Sequence, residues 1–476
     1  MIFVCGTDKD YDIWSSLGNT GWDYNSLLPF FKKLEGNTDQ GTVLYKDGEY
    51  HGTDGPLTVS KYGSSDPFIQ VLKDGFNQTG YKFNTDWNSK EYNGLVEVQG
   101  TIKGGERMSA ARAFLIPLKS RSNFKVMKGS FVEKVLFTGK RATGVKIVTA
   151  RSECPEITVY ARKEVIISAG AMGTPKLLLK SGIGRATDLI PFGIPQVGNL
   201  AVGENFQDHP KTVHFIKINP NAPKQTTLDV IVDASQYLID RSGKFSNLNV
   251  MNFNAFINTT DPDATYPDAH YIFYRFEKSQ EFIQDILWRF GFKQQYIDEL
   301  LAINKDYQIL MVFNHLPNPI SRGTVKLRSR NVYDYPKTFT NWYNNPTDIE
   351  LTLRGYKKIE DLIATAAFQT TSAELVKFNI TECNPLPYPS DAYRKCYMKY
   401  FSTSGWHQAG TAKMGPASDV NAVVDPRLLV HGFENLRVAD ASIMPNVITV
   451  NTQCPTYMIG EKAADMIKFD NDPENS

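Results

Sequence analysis

A mixed α/β (α+β) fold follows from two patterns in this chain of 476 residues. Between residues 124 and 169, short β-branched runs alternate with Gly, Lys and Arg turns and end on a small-residue turn that leads into a helix. Between about 211 and 400, strand-like and helix-like patterns interleave, with no internal repeat. At ~150 residues per domain the length allows about three units.

The elements follow in chain order. The first residues, from Met1 to Trp14, have no charged leader and too short an apolar run for a signal peptide. A turn is expected over 17–22, with a helix over 24–34 where apolar residues recur at helical spacing. Strands are expected at 124–127, 132–137, 143–148, 157–160 and 165–168. Gly170 and Ala171 then make a turn, and Pro175 leads a short helix over 176–180. A strand, a small-residue turn and a helix let backbone N–H groups face an anion, although a plain connection has the same pattern. Polar, Pro-containing stretches at 261–268 and 331–336 read as surface loops, 282–301 as one amphipathic helix, 455–467 as a helix, and 470–476 as a disordered tail.

Composition narrows the function. A hydrophobic fraction of 41%, a charged fraction of 22% and a formal charge of +1 provide a large core and no strong field, so no nucleic acid or anionic surface is expected as partner. No stretch approaches the ~18 apolar residues of a membrane span. The 12% aromatic content serves an apolar substrate pocket or an ordinary core equally well. The five cysteines are too scattered for a disulfide scaffold; Cys383 and Cys396 are near enough to bridge, or equally to stay as buried thiols. Sequons at Asn77, Asn258 and Asn379 permit a secretory route without requiring it.

The segment from Ser404 to Gly415 is the most informative. It places His407, flanked by Trp406, before a small-residue turn. It is followed by Val424-Asp425-Pro426-Arg427 and by Leu436-Arg437-Val438-Ala439-Asp440-Ala441-Ser442, a strand that delivers an Asp to an Ala-Ser turn. A His beside a Trp is more often packed than catalytic, so the order of residues carries the weight. That order resembles the C-terminal signature of the glucose-methanol-choline (GMC) family of flavin oxidoreductases. Lys163 to Gly184 resembles the family's second signature, and His51 to Leu57, Val202 to His209 and Ser321 to Leu327 resemble further family segments in the expected order.

The resemblance implies an FAD-binding Rossmann-like domain with a sheet-based substrate domain. Residues 1–210 would form the FAD-binding part with lid and linker segments, 211–400 the substrate domain, and 401–469 a return to the FAD domain carrying the catalytic residues. It implies an enzyme that oxidises a CH–OH donor, an alcohol, sugar or sterol, and passes electrons to oxygen or a quinone. His407 would be the general base, suited by an ordinary pKa near 6.5, and Asn451 would hydrogen-bond the substrate oxygen or instead cap the following helix. Val132, Gly170, Ala171, Trp406, Asp440, Ala441, Thr452 and Pro455 would contact FAD. For His51, His209, His214, His270, His315 and His431 packing is the expected role, and no metal site is expected. A Ser-His hydrolase is disfavoured because no GxSxG elbow occurs. Family relatives are often secreted.

One family part is missing. A GxGxxG turn between a strand and a helix normally holds the flavin pyrophosphate, and no such sequence stands in that context here. The expectation is therefore an incomplete Rossmann-like domain whose first βαβ unit is absent, in a truncated enzyme or in a GMC-derived protein that does not hold FAD. Loss of a central strand should leave a neighbouring strand edge unpaired.

Overall fold

The computed structural model describes residues 2–39, 48–149, 156–280, 282–472 and 474. Its largest element is an eight-stranded sheet, in the order Glu374–Leu375, Pro210–Ile218, Gln308–His315, Ala269–Phe276, Phe253–Ile257, Gly94–Glu97 and Phe83–Asn84, with Ser402–Ser404 also paired to Pro210–Ile218. Every pairing is antiparallel except the last, between Phe83–Asn84 and Gly94–Glu97.

Side chains alternate between the two faces with the two-residue period of a strand. Val213, Phe215, Phe256, Ile272, Met311 and Phe313 enter one apolar core, while Ile216, Ala255, Tyr271, Phe273, Leu310 and Val312 enter another. Both faces are thus dry, which explains the near-continuous apolar runs. The second core is closed by the helices Phe68–Gln78 and Pro346–Ile363, through residues such as Leu72, Phe76, Ile359 and Leu362. The latter helix starts where Asn345 caps the Thr347 N–H at 2.9 Å and Pro346 takes a position that needs no N–H.

A second region holds a three-stranded antiparallel sheet, Ser130–Thr138, Arg141–Thr149 and Glu156–Tyr160, and a parallel pair, Val165–Ile167 with Leu436–Val438. Among the described residues no strand pairs with the other edge of Val165–Ile167, and Ile166 is 45% exposed. Arg437 locks this pair. It is 1% exposed and meets Glu164 at 2.8 Å and Asp470 at 2.9 Å.

Several expectations are corrected. Residues 124–127 form no strand; the chain is exposed there and the first strand begins at Ser130. The helix expected at 176–180 spans Gly170–Lys180, with Pro175 inside it. Pro175 cannot donate to the Ala171 carbonyl one turn back, and that carbonyl accepts Thr411 Oγ1 at 2.7 Å instead. The missing helical bond thereby ties the helix to the segment after His407. The helix expected over 282–301 is two, Ile283–Arg289 and Gln294–Asn304, parted where Gly291 adopts φ 80° and ends the first. The C-terminal helix is longer than expected, Gln453–Asp470; residues 473, 475 and 476 of the expected tail lie outside the described residues.

Cys383 pairs with Cys396, as their spacing allows, and Cys5 pairs with Cys454 across 449 residues, a bond that spacing could not reveal. Cys154 lies outside the described residues.

His51 is a buried ion-pair centre, with Nδ1 2.9 Å from Glu35 and Nε2 3.0 Å from Asp86. Burial opposes its charge, but the two carboxylates win and push the imidazole from 6.5 up to about 10. A raised folded-state pKa gives stability that is complete below pH 6.5 and is lost as pH rises through about 10. The melting temperature is expected to fall across that window, and His51→Gln to remove that part of the slope, as thermal denaturation at a series of pH values would read.

Candidate active site

The site is assembled by Asn205 to Asp208, whose side chains satisfy backbone groups of two other loops. Asn205 Nδ2 donates to the carbonyls of Gly410 (3.2 Å) and Pro445 (3.1 Å). Gln207 donates to the Pro445 carbonyl at 3.0 Å and accepts the Val447 N–H at 3.0 Å. Asp208 accepts the His407 N–H at 2.9 Å and the Ser404 hydroxyl, which itself accepts the Trp406 N–H at 2.8 Å. This clamp holds Trp406 at φ 59°, a left-handed conformation that costs a non-glycine residue about 1–3 kcal/mol.

His407 is presented from the turn with 7% of its surface exposed. Its Nε2 lies 3.0 Å from Asn451 Nδ2, and its Nδ1 lies 2.9 Å from His209 Nδ1. Asn451 Oδ1 is buried without a partner in the protein, among the described residues. Asn451 does not cap the next helix, whose N-cap position is Thr452. Trp406, His407, Asn451 and Thr452 line a cavity of about 820 Å³ together with Leu248 and Met251. A smaller cavity of about 280 Å³ shares Leu248 and Met251 and is lined by Gln225, Asn249, Tyr274 and Phe282. The amide oxygens of Gln225 and Asn249 there are buried and unpartnered among the described residues.

Behind His407 the strand register sets a row of buried side chains. Lys211 pairs with His315, His315 with His270, and His270 with Phe256. Rings stack along the row: Phe256 to His270 at 4.1 Å, His270 to His315 at 5.0 Å, and His315 to His407 at 6.0 Å. The Lys211 ammonium sits over the rings of Phe290 (4.7 Å), Phe313 (4.3 Å) and Trp406 (4.7 Å).

Burial dominates the electrostatics. It depresses His407 well below its ordinary value, with His209, His270 and Lys211 adding to the effect, and holds His209 down to about 4. The Lys211 ammonium is lowered to about 8 by burial, against the pull of Asp208. Burial pushes the Asp208 carboxyl up to about 6, against the hydrogen bonds from Ser404 and the His407 backbone. At neutral pH His407 is therefore a neutral imidazole able to accept a proton.

The sequence-expected residues fall in three places. His407, Asn451, Trp406 and Thr452 meet at the main cavity. Gly170, Ala171, Asp440 and Ala441 meet at the start of the helix Gly170–Lys180, where Asp440 accepts the Gly170 N–H at 2.8 Å, Thr174 Oγ1 at 2.6 Å and the Ser442 N–H at 2.8 Å. Gly170 has φ 77° and open space where a Cβ would stand. Val132 lies in another crevice, of about 550 Å³, with Ile167, Ala169 and Gly173. Pro455 falls in none of the three, being buried inside its helix. Asp208, His209, Lys211, His270 and His315 were not expected at the site.

Known proteins place the chain in a family. The GMC oxidoreductase family matches residues 1–211 with its N-terminal part and residues 319–460 with its C-terminal part. The chain belongs to the GMC oxidoreductases. It is 33% identical over 474 residues to the glucose dehydrogenase (FAD, quinone) of Drosophila melanogaster, covering 98% of this chain and 72% of that protein. It is 31% identical to the ecdysone oxidase of Spodoptera littoralis (98% and 76% covered) and 34% identical to the mitochondrial choline dehydrogenase of Homo sapiens (98% and 73%). Among solved structures it is similar to a formate oxidase of Aspergillus oryzae studied for its FAD modification, with TM-score 0.84 and 25% identity over 99% of this chain and 82% of that one. An FAD-dependent oxidoreductase from Chaetomium thermophilum matches with TM-score 0.82 and 25% identity, over 98% and 84%. The mixed α/β GMC fold expected from the sequence is thus the fold of this GMC oxidoreductase.

Proposed function

We propose that this GMC oxidoreductase oxidises a CH–OH donor with FAD, His407 taking the hydroxyl proton and Asn451 holding the oxygen. The pair His407 Nε2 and Asn451 Nδ2, 3.0 Å apart on a cavity wall, carries this reading. A substrate hydroxyl entering between them would give its proton to Nε2 and accept the amide N–H on its oxygen. As charge grows on that oxygen, the amide donor holds it.

One feature fits a flavin: at Gly170, with φ 77° and free space where a Cβ would stand, a large group can approach the backbone beside the Asp440 carboxylate, which holds the Gly170 N–H. Trp406 and Thr452 would stand at the ring end, Gly170, Ala171 and the Asp440–Ala441 turn at the middle, and Val132 in its crevice at the far end. Pro455 would act only through the position of its helix. When bound, FAD supplies the hydride acceptor. In this reading residues 1–210 and 401–469 serve the cofactor and 211–400 the substrate. Strands Gly94–Glu97 and Ser402–Ser404 join the same sheet as the latter.

For the substrate, the apolar residues Leu248, Met251 and Trp406 of the main cavity favour an apolar body beside the reacting hydroxyl, while the second cavity, lined by Gln225, Lys244, Asn249 and Arg275 among others, suits a polar end. A panel of glucose, choline, an ecdysteroid and an aryl alcohol, followed by quinone-dye reduction and oxygen consumption, tests substrate and acceptor together. Oxidation of none of them would sink the reading. A second reading is a GMC-derived protein that does not retain FAD, favoured by the second edge of Val165–Ile167, with which no described strand pairs.

The pH profile should be set by Asp208 and not by His407. Below pH about 6 Asp208 takes up a proton and loses the charge that fixes the Ser404–His407 turn. Turnover is expected to decline there, and Asp208→Asn to flatten that limb at a lower maximal rate, as kcat/KM against pH would read.

A further inference from the structure

We propose that His209 is a positioning residue that sets the tautomer of His407, keeping the lone pair on Nε2, toward the cavity. The inference rests on the reading of His407 as base. The two Nδ1 atoms are 2.9 Å apart, so a single hydrogen lies between them. Neither ring is cationic at neutral pH, because burial depresses both.

Two arrangements are then open. In the first, His407 carries its proton on Nδ1 and donates to His209, and its bare Nε2 receives the Asn451 amide at 3.0 Å. His209 then carries its own proton on Nε2, which is buried. In the second, His209 donates and His407 turns an N–H toward the Asn451 amide. That arrangement sets donor against donor at the 3.0 Å contact between His407 Nε2 and Asn451 Nδ2. Only the first gives a base facing the cavity.

The backbone is built for this contact. Gly405 N–H donates to the His209 carbonyl at 2.8 Å. A Cβ on Gly405 would stand 2.8 Å from that oxygen, 3.1 Å from His407 Nδ1 and 3.2 Å from His209 Cβ. Any side chain there would press the two rings apart. The other titratable groups around the pair are Asp208, on the clamp, and Lys211, His270 and His315, on the sheet beneath.

The test is ¹⁵N NMR of protein labelled in its histidine rings, assigned through His407→Gln and His209→Asn. In the wild type His407 is expected to show a protonated Nδ1 and a bare Nε2. His209→Asn puts an acceptor oxygen where Nδ1 stood and should keep that pattern. His209→Leu removes the acceptor and should move the His407 proton toward Nε2. Turnover of the flavin-loaded protein should fall about ten- to a hundredfold in His209→Leu, with flavin content unchanged, and largely return in His209→Asn. A His407 protonated on Nε2 in the wild type overturns the proposal, as does an unchanged tautomer in a folded His209→Leu. If His209→Leu does not fold, the wild-type and His209→Asn spectra decide. The expected tautomers without alcohol oxidation in any form would refute the assigned activity and leave the tautomer assignment standing.

Discussion

Replacing His407 by alanine is expected to lower kcat/KM for alcohol oxidation by about two to four orders of magnitude, the range a positioned general base supplies. Flavin content should change little, because the expected cofactor contacts Gly170, Ala171, Asp440 and Val132 lie outside the cavity that His407 lines, and those inside it, Trp406 and Thr452, are left in place. Asn451→Ala should cost about two to three orders through loss of one oxyanion donor. The double variant should be little worse than His407→Ala, since the two side chains act on one oxygen. Steady-state rates at saturating acceptor check all three. A His407→Ala protein that keeps a rate within tenfold of wild type would remove His407 from the chemistry.

The second large effect is on stability. Arg437 is buried to 1% exposure between Glu164 and Asp470, and Glu164 precedes the strand that pairs with Arg437's own. Arg437→Leu strands the Glu164 carboxylate, which also accepts the Asn471 amide at 2.9 Å, and should cost about 3–5 kcal/mol. Pairing it with Glu164→Leu should recover much of that loss, because the stranded charge and not the missing attraction is the larger part. Denaturant unfolding of the two variants beside wild type measures both values. Equal destabilisation in the single and the double variant would contradict the argument.

How much of this was legible in the sequence depends on the range of the signal. Strands from 132 onward and the helix near 24–34 announced themselves through local periodicity, and His407 and Asn451 through the order of a long segment. The break at Gly291 was missed because a run of apolar residues continues across it, and only the glycine's positive φ parts the helices. The Cys5–Cys454 bond and the row Lys211, His315, His270 depend on which distant strands lie side by side, which spacing along the chain does not encode. His209 is the most instructive case. It stands in a segment with a family likeness, yet its role appears only when Gly405 brings His407 against it. Among six histidines assigned to packing, His209, His270 and His315 lie in ring contact with His407 or one ring away from it.

The visible absorbance of the purified protein, recorded with FAD and again after anaerobic addition of an alcohol that it oxidises, tests the central claim most directly. Stoichiometric bound flavin whose visible band bleaches with the alcohol, and bleaches far more slowly in His407→Ala, is the expected result. A protein that retains no flavin under any loading condition would contradict the account and leave the non-catalytic reading in its place.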